Sequence, residues 1–377
     1  MSRNRTIYQV LALYASQVAP NVMQTGLNTV RQLNRVQTFD EDFSRNFTDV
    51  NQFGNLAAID RIETEAPSVS ASLSYYLTNG INENYLGLTV TPSGSTALTS
   101  CVSGLLTKAT DEKNYYLLIA DEGNDAAGYA GTNSGVIGIG NGFLTSYSIN
   151  AAVGELATAN VDLEGLNIRV YGNANVATGT EGPGVNPVDG TIFTGTRFLL
   201  PSATSMTGVG IPTALQPGDI MFQMTGAMGF KNADLKVQDF SLSFDLSRTP
   251  LQKLGTKFAF SREIDFPVTA TLEVNADVGD LEDGNLADLL CNNPEYNFEI
   301  VLSQPGCGAT KPPAMIYQFK GAKLVTQNFT SNIGDNASMS ATYEVQIAGP
   351  QDLSKGVFIS GSYTKAEAYP PLGIVTV

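Results

Sequence analysis

The chain has 377 residues, a formal net charge of −15, 15% charged residues, and neither histidine nor tryptophan. Without histidine no Ser-His-Asp or Cys-His nucleophile pair can be built, and no imidazole is present to bind zinc or act as a general base near neutral pH. The length can bury two ordinary cores, and a sequence rich in Gly, Ser, Thr and Asn predicts a β-rich structural protein with many turns, not an enzyme.

Residues 1–30 are expected to form an N-terminal arm. Arg3 and Arg5 precede an apolar run from Ile7 to Ala15 that imitates a secretory signal, but the run is short and broken by Gln9. No segment approaches the roughly 20 apolar residues that span a membrane. A strand over 33–44, a polar loop and a long strand over 59–77 open the first unit. Within it Val69, Ala71, Leu73, Tyr75 and Leu77 alternate with Ser68, Ser70, Ser72 and Ser74, the period-two pattern of a half-buried antiparallel strand. A helix over 97–106 and strands over 115–120, 144–151 and 159–171 follow. Residues 173–217, rich in Gly, Thr, Asn and Pro, read as a linker or insertion with a hairpin over 191–200.

The second unit repeats the order: strands over 235–246 and 258–276, a helix from Leu286 to Cys291 capped by Asp283 or Asn285, and strands over 296–302, 315–329 and 339–347. The apolar parity slips between Val237 and Phe240, and between Leu163 and Leu166, predicting β-bulges that bend the strands. The expected fold is mainly β. Two tandem β-sandwich or barrel domains, 31–172 and 218–350, each carry one flanking helix, and 351–377 form a C-terminal arm. Both terminal arms hold apolar residues and are expected to order on a neighbour.

Residue identities support an internal duplication. Val36, Gln37 and Phe39 recur as Val237, Gln238 and Phe240, and an Asp-apolar-Ser-Arg run follows at 42–45 and 245–248. Phe53-Gly54 and Leu254-Gly255 come next, the Val-to-Gly interval being 18 residues both times. Arg61 and Pro67 answer Arg262 and Pro267, and the Leu144 to Gly154 spacing recurs as Leu324 to Gly334.

Chemical signals are few. Cys101, Cys291 and Cys307 are odd in number and widely spaced, so they read as reduced structural thiols and not as a disulfide framework or zinc knuckle. The Gly-rich run from Gly135 to Gly142 lacks the Lys-Ser/Thr of a P-loop and reads as a flexible turn. Asp277, Asp280, Glu282 and Asp283 cluster, but their order does not match a calcium-binding EF-hand loop. Glu63 and Glu65 share a strand face and point to solvent or a lumen, and Tyr75-Tyr76 and Tyr115-Tyr116 lack the neighbouring basic residues of a stacking platform. No catalytic, cofactor or metal residues are assigned.

The stretch Gln52-Phe53-Gly54-Asn55-Leu56-Ala57-Ala58-Ile59-Asp60-Arg61, continuing to Pro67 and the Ser-spaced strand, resembles the tail tube proteins of tailed bacteriophages. So do the Leu246-Ser247-Arg248 to Pro267 stretch and the closing Gly349 to Leu353 segment. The resemblance covers about two thirds of the chain. It implies self-assembly into stacked trimeric rings of pseudo-sixfold symmetry, forming a channel for DNA ejection. Its lumen holds the tape-measure protein and then DNA, and no cofactor or membrane is involved. Whether a sheath surrounds the tube stays open. Location in the virion tail, after assembly in the bacterial host cytoplasm, is implied as well. The polar loops 46–52 and 249–253 correspond to a long hairpin that reaches a neighbour, which makes Asp49, Phe53, Leu251 and Lys253 the candidate subunit-interface residues. A baseplate or terminator protein on the same fold, and a two-domain carbohydrate-binding tail-tip protein, are the alternatives. The acidic charge suits a lumen that repels phosphate.

Overall fold

The computed structural model describes residues 10–24, 29–92, 99–106, 111–120, 124–126, 134–175, 179–200, 213–224, 236–279, 283, 285–307, 311–334, 336–349 and 352–363. The fold is mainly β, with 55% strand and 7% helix. The first half carries β1 (Leu11–Ser16), β2 (Val30–Gln32), β3 (Val36–Ser44), β4 (Phe47–Val50), β5 (Asp60–Glu63), β6 (Ser68–Tyr76), α1 (Ile81–Leu86), β7 (Val90–Pro92), α2 (Ser103–Leu106) and β8 (Lys113–Ile119). It continues with β9 (Ser134–Ala152), β10 (Thr158–Gly165) and β11 (Asn167–Ala174), and the short pair β12 (Thr180–Glu181) and β13 (Arg197–Phe198) follows. The second half carries β14 (Ile220–Met224), β15 (Lys236–Asp245), β16 (Arg248–Leu251), β17 (Ser261–Ile264), β18 (Val268–Asp277), α3 (Leu286–Asn292), β19 (Tyr296–Ser303), β20 (Pro313–Thr330), β21 (Ser338–Ile347) and β22 (Gly356–Gly361).

The strands form one antiparallel run of eight in the order β20-β21-β18-β15-β9-β10-β6-β3. Four come from each half, and β9 and β15 join them at the middle, Asp239 to Asp245 lying opposite Ala152 to Ser146. The long strands β9 and β20 turn out of this sheet into a second layer: their first halves pair with β8 and β11, and with β19 and β22. Alternation dictates the packing. Val69, Ala71, Leu73 and Tyr75 of β6 and Phe240, Leu242 and Phe244 of β15 face inward, and one apolar cluster runs through both halves. The halves therefore share a core.

The repeat extends to backbone geometry. A bulge separates Val36 from Thr38 against β6, and another separates Val237 from Asp239 against β18. Matching bulges occur where β9 meets β10 at Asp162/Leu163 and where β20 meets β21 at Leu324/Thr326. These pairings fix a constant spacing of 201 residues from β3–β6 to β15–β18 (Phe39 to Phe240) and 180 from β9–β10 to β20–β21 (Leu144 to Leu324). The Asp-apolar-Ser-Arg runs do not superpose under that spacing. Phe47, opposite Glu63, takes the place of Arg248, opposite Ile264.

Several expectations need correction. The first half carries two short helices, and the unexpected one is α1, which the glycines at its ends (Gly80 at φ 87° and Gly87 at φ 104°) confine to six residues. Only Ser103–Leu106 of the expected 97–106 helix is helical, and residues 97 and 98 lie outside the described residues. The Gly135–Gly142 run is the interior of β9, not a turn. A Cβ at Gly140 would strike the Pro183 carbonyl, and one at Gly142 would come within 2.8 Å of the Tyr115 ring. The described parts of the terminal arms include core strands: β1 pairs with β8, burying Leu13, and β22 pairs with β20, burying Val357, Phe358 and Ile359. Cys291 and Cys307 are exposed and Cys101 is buried. The α3 cap is Asn285, whose Oδ1 accepts from the Ala287 amide at 3.0 Å. Asp280 and Glu282, like Arg3, Arg5 and Ile7, lie outside the described residues.

Candidate assembly interface

The outward face of the eight-stranded sheet is polar throughout its middle. Ser68, Ser70 and Ser72 on β6 stand beside Asp40 and Asp42 on β3, and Asn160 and Asp162 on β10 lie opposite Ser148 and Ser146 on β9. Across the junction, Asp239, Ser241 and Ser243 lie opposite Asn275, Glu273 and Thr271 of β18 through the same alternation. Lysines enter only at the ends, Lys236 opposite Asp277 and Lys323 opposite Glu344. Such a face presents hydroxyls, amides and carboxylates, and its field repels phosphate.

Among the described residues, β3 has β6 as its one strand neighbour, and the Leu324–Thr330 part of β20 has β21 as its one strand neighbour. An unpaired edge carrying apolar side chains is a template for pairing with another chain. The internal β9–β15 junction shows what happens when such edges meet. Phe43 on the open β3 edge is 58% exposed, whereas its counterpart Phe244 is 2% exposed at the junction. Phe329 on β20 is 51% exposed and its counterpart Ile149 is fully buried. The second layer repeats the contrast: Val170 of β11 is 72% exposed, while Ile359, in the equivalent place on β22, is buried by parallel pairing with β7 at Val90. Leu286 and Leu290, the first and fifth residues of α3, are largely exposed, and Ile81 and Tyr85 in those places on α1 are buried.

Two hairpin arms leave one end of the sheet. The arm β16–β17 is docked on the first half. Arg248, its side chain buried, makes a two-pronged ion pair with Asp111 at 2.6 and 2.9 Å and lies 5.1 Å from the Phe143 ring centroid. Arg262 pairs with Glu164. Backbone amides of Lys257 and Phe258 donate to the carbonyls of Val188 and Pro187, each at 3.0 Å, so residues expected in a linker brace the arm. The arm β4–β5 is exposed along both strands and is held by its own contacts, Arg45 donating to both carboxylate oxygens of Glu63 at 3.0 Å.

The four candidate interface residues all lie on these arms. Asp49 is on β4, its carboxylate 3.4 Å from Arg61, and Phe53 at the tip is fully exposed. Leu251 ends β16, half exposed, and Lys253 sits 5.5 Å from the Phe260 ring. The arms place Asp49 and Phe53 apart from Leu251 and Lys253, one pair on each. The open edges and the α3 face were not legible as sites, because their residues repeat a pattern that is core elsewhere in the chain. Glu63 ends β5 and Glu65 lies beyond the strand; Arg45 donates to the first and Asn46 to the second at 2.9 Å.

Where the halves meet inside, titratable groups are buried. The Tyr75 and Tyr147 hydroxyls donate to Glu83 Oε1 at 2.8 and 3.2 Å, and the Tyr147 and Tyr317 hydroxyls lie 2.8 Å apart. Burial raises the Glu83 carboxyl above its ordinary range, opposed by those hydrogen bonds. Burial also lowers Lys113 to about 7, with its ammonium nitrogen donating to the Tyr85 carbonyl at 2.7 Å. Among the described residues no group of three or more Cys, Asp or Glu side chains could hold a metal ion, and no helix is long and apolar enough to cross a membrane.

No family model and no curated protein matches the chain. Among solved structures, it is similar to a chain in the virion of a native gene transfer agent particle. That alignment covers 40% of this chain and 100% of that one at 13% identity, with a TM-score of 0.22. A chain of the anti-feeding prophage baseplate, from a 6-fold symmetrised structure, aligns over 38% of this chain and 93% of its own at 13% identity, with a TM-score of 0.23.

Proposed function

We propose that this chain is a structural virion protein of a tailed phage whose copies join head to tail into rings, the rings stacking into the tail tube through which DNA is ejected. One observation carries the reading: Phe43 and Phe329, exposed on the two edge strands, have counterparts in the other repeat, Phe244 and Ile149, that are buried at the internal junction. A junction of β20 with β3 of the next copy would repeat β9 with β15, placing Phe43 opposite Gln327 and Asp42 opposite Asn328, as Phe244 meets Tyr147 and Ser243 meets Ser148. Such a heterologous contact between unlike surfaces gives a closed ring when the rotation closes, and three duplicated subunits give pseudo-sixfold symmetry. The polar, acidic face then lines the channel, and the duplex slides without sticking. The resemblance of residues 52–67 to tail tube proteins supports the same reading. The role needs no enzymatic activity or cofactor.

Negative-stain electron microscopy of the purified protein, concentrated near physiological salt, tests this. The expected result is rings or tubes with a central channel and threefold averages with sixfold-like density. Monodisperse particles without a channel overturn it, and a stable monomer held on a glycan resin would favour the carbohydrate-binding alternative.

A further inference from the structure

We propose that the bare β4–β5 arm is a docking element for a second copy of this chain, seated by an ion pair between Arg61 and Glu344 of the next subunit. The inference rests on the ring reading above and deepens it. The docked β16–β17 arm supplies the template. Arg262 reaches from β17 to Glu164, which stands opposite Ser70 near the end of β10. Arg61 occupies the place of Arg262, opposite Asp49 as Arg262 is opposite Pro250. Glu344 occupies the place of Glu164, opposite Thr271 and Lys323 as Glu164 is opposite Ser70 and Phe143. Both members of the pair are thus repeated, but inside one chain only one arm has a half to dock on.

The exposures agree. Ala259 is buried beneath the docked arm, while Ala58 in the same place on the bare arm is exposed, as is Glu344. Arg61 now lies 3.4 Å from Asp49, with both side chains more than half exposed, and 5.3 Å from the Phe47 ring centroid, surface contacts of little energetic worth that can be exchanged. The template is not copied whole. Phe47 replaces Arg248, so the clamp on Asp111 has no counterpart, and the arginine–glutamate pair carries more of the specificity.

The test is a charge exchange in the full chain, with assembly followed by sedimentation over a concentration series. Arg61→Glu and Glu344→Arg should each raise the concentration needed for assembly by about tenfold or more, and the double variant should recover most of it. Melting of the unassembled chains should not change, which separates lost docking from lost folding. If the wild type assembles and both single variants assemble equally well, the docking inference falls and the ring reading stands. If the wild type does not assemble at any concentration, both fall.

Discussion

Replacing Phe43 by serine should leave the free chain intact and cripple its assembly. In the unassembled chain the side chain is 58% exposed, and a ring contact that repeats the internal junction would bring it to the 2% of Phe244. For a phenylalanine of about 200 Å² that change removes about 110 Å² of mostly apolar surface from water, worth roughly 2.8 kcal/mol at 25 cal/mol per Å². Each junction then loses about a hundredfold in association constant. Imperfect packing in the new interface would lower that figure, so a tenfold loss is the floor consistent with the reasoning. Light scattering against concentration reads the assembly threshold, and urea unfolding of dilute protein reads the monomer, where a change within about 0.5 kcal/mol is expected for a surface site. Phe43→Tyr should assemble almost normally. Wild-type assembly by the serine variant would refute the claim that this edge is an interface.

Asp111→Ala should destabilise the chain by about 3–5 kcal/mol in urea, because it strands the buried Arg248 guanidinium without its partner. Lys113→Met tests the buried ammonium. The folded-state pKa is depressed to about 7 from 10.5, so the stability this group leaves intact above 10.5 is lost as pH falls toward 7. The wild type should therefore lose about 1.4 kcal/mol per pH unit relative to the variant between pH 10 and 7 in thermal or urea melts, and parallel curves would contradict burial of that amine. On the proposed channel face, Ser72→Arg with Ser340→Arg should make assembled protein retain duplex DNA at low salt and release it as salt rises, whereas the wild type should retain none. Equal retention by both would place this face away from the channel.

The alternation at Val69 to Leu77 and at Val268 to Ala276 made the strands of the main sheet legible, and the parity slip after Val237 correctly marked a bulge. Helix α1 was missed because six residues between two glycines offer no periodicity, and Asn82 and Asn84 are weak helix formers. The Gly135–Gly142 run looked like a turn because Gly usually marks one. Here the glycines admit the Pro183 carbonyl and the Tyr115 ring against a buried strand. The resemblance to tail tube proteins pointed to Asp49, Phe53, Leu251 and Lys253 on the arms. The open edges escaped notice because nothing in Phe43 or Phe329 distinguishes an edge residue from its buried repeat, and only the pairing of strands does so.

Cross-linking across the proposed contact tests the central claim most directly. Asp42→Cys and Asn328→Cys, combined in a chain with Cys291→Ser and Cys307→Ser to remove the exposed thiols, place one thiol on each open edge. Directly opposed residues on paired antiparallel strands bring their Cα atoms to about 4.5–5.5 Å, within the range that a disulfide spans. Head-to-tail ring closure predicts a denaturing-gel ladder that ends at three chains. A monomer band alone would contradict the edge pairing, and a ladder without an upper limit would contradict the closed ring.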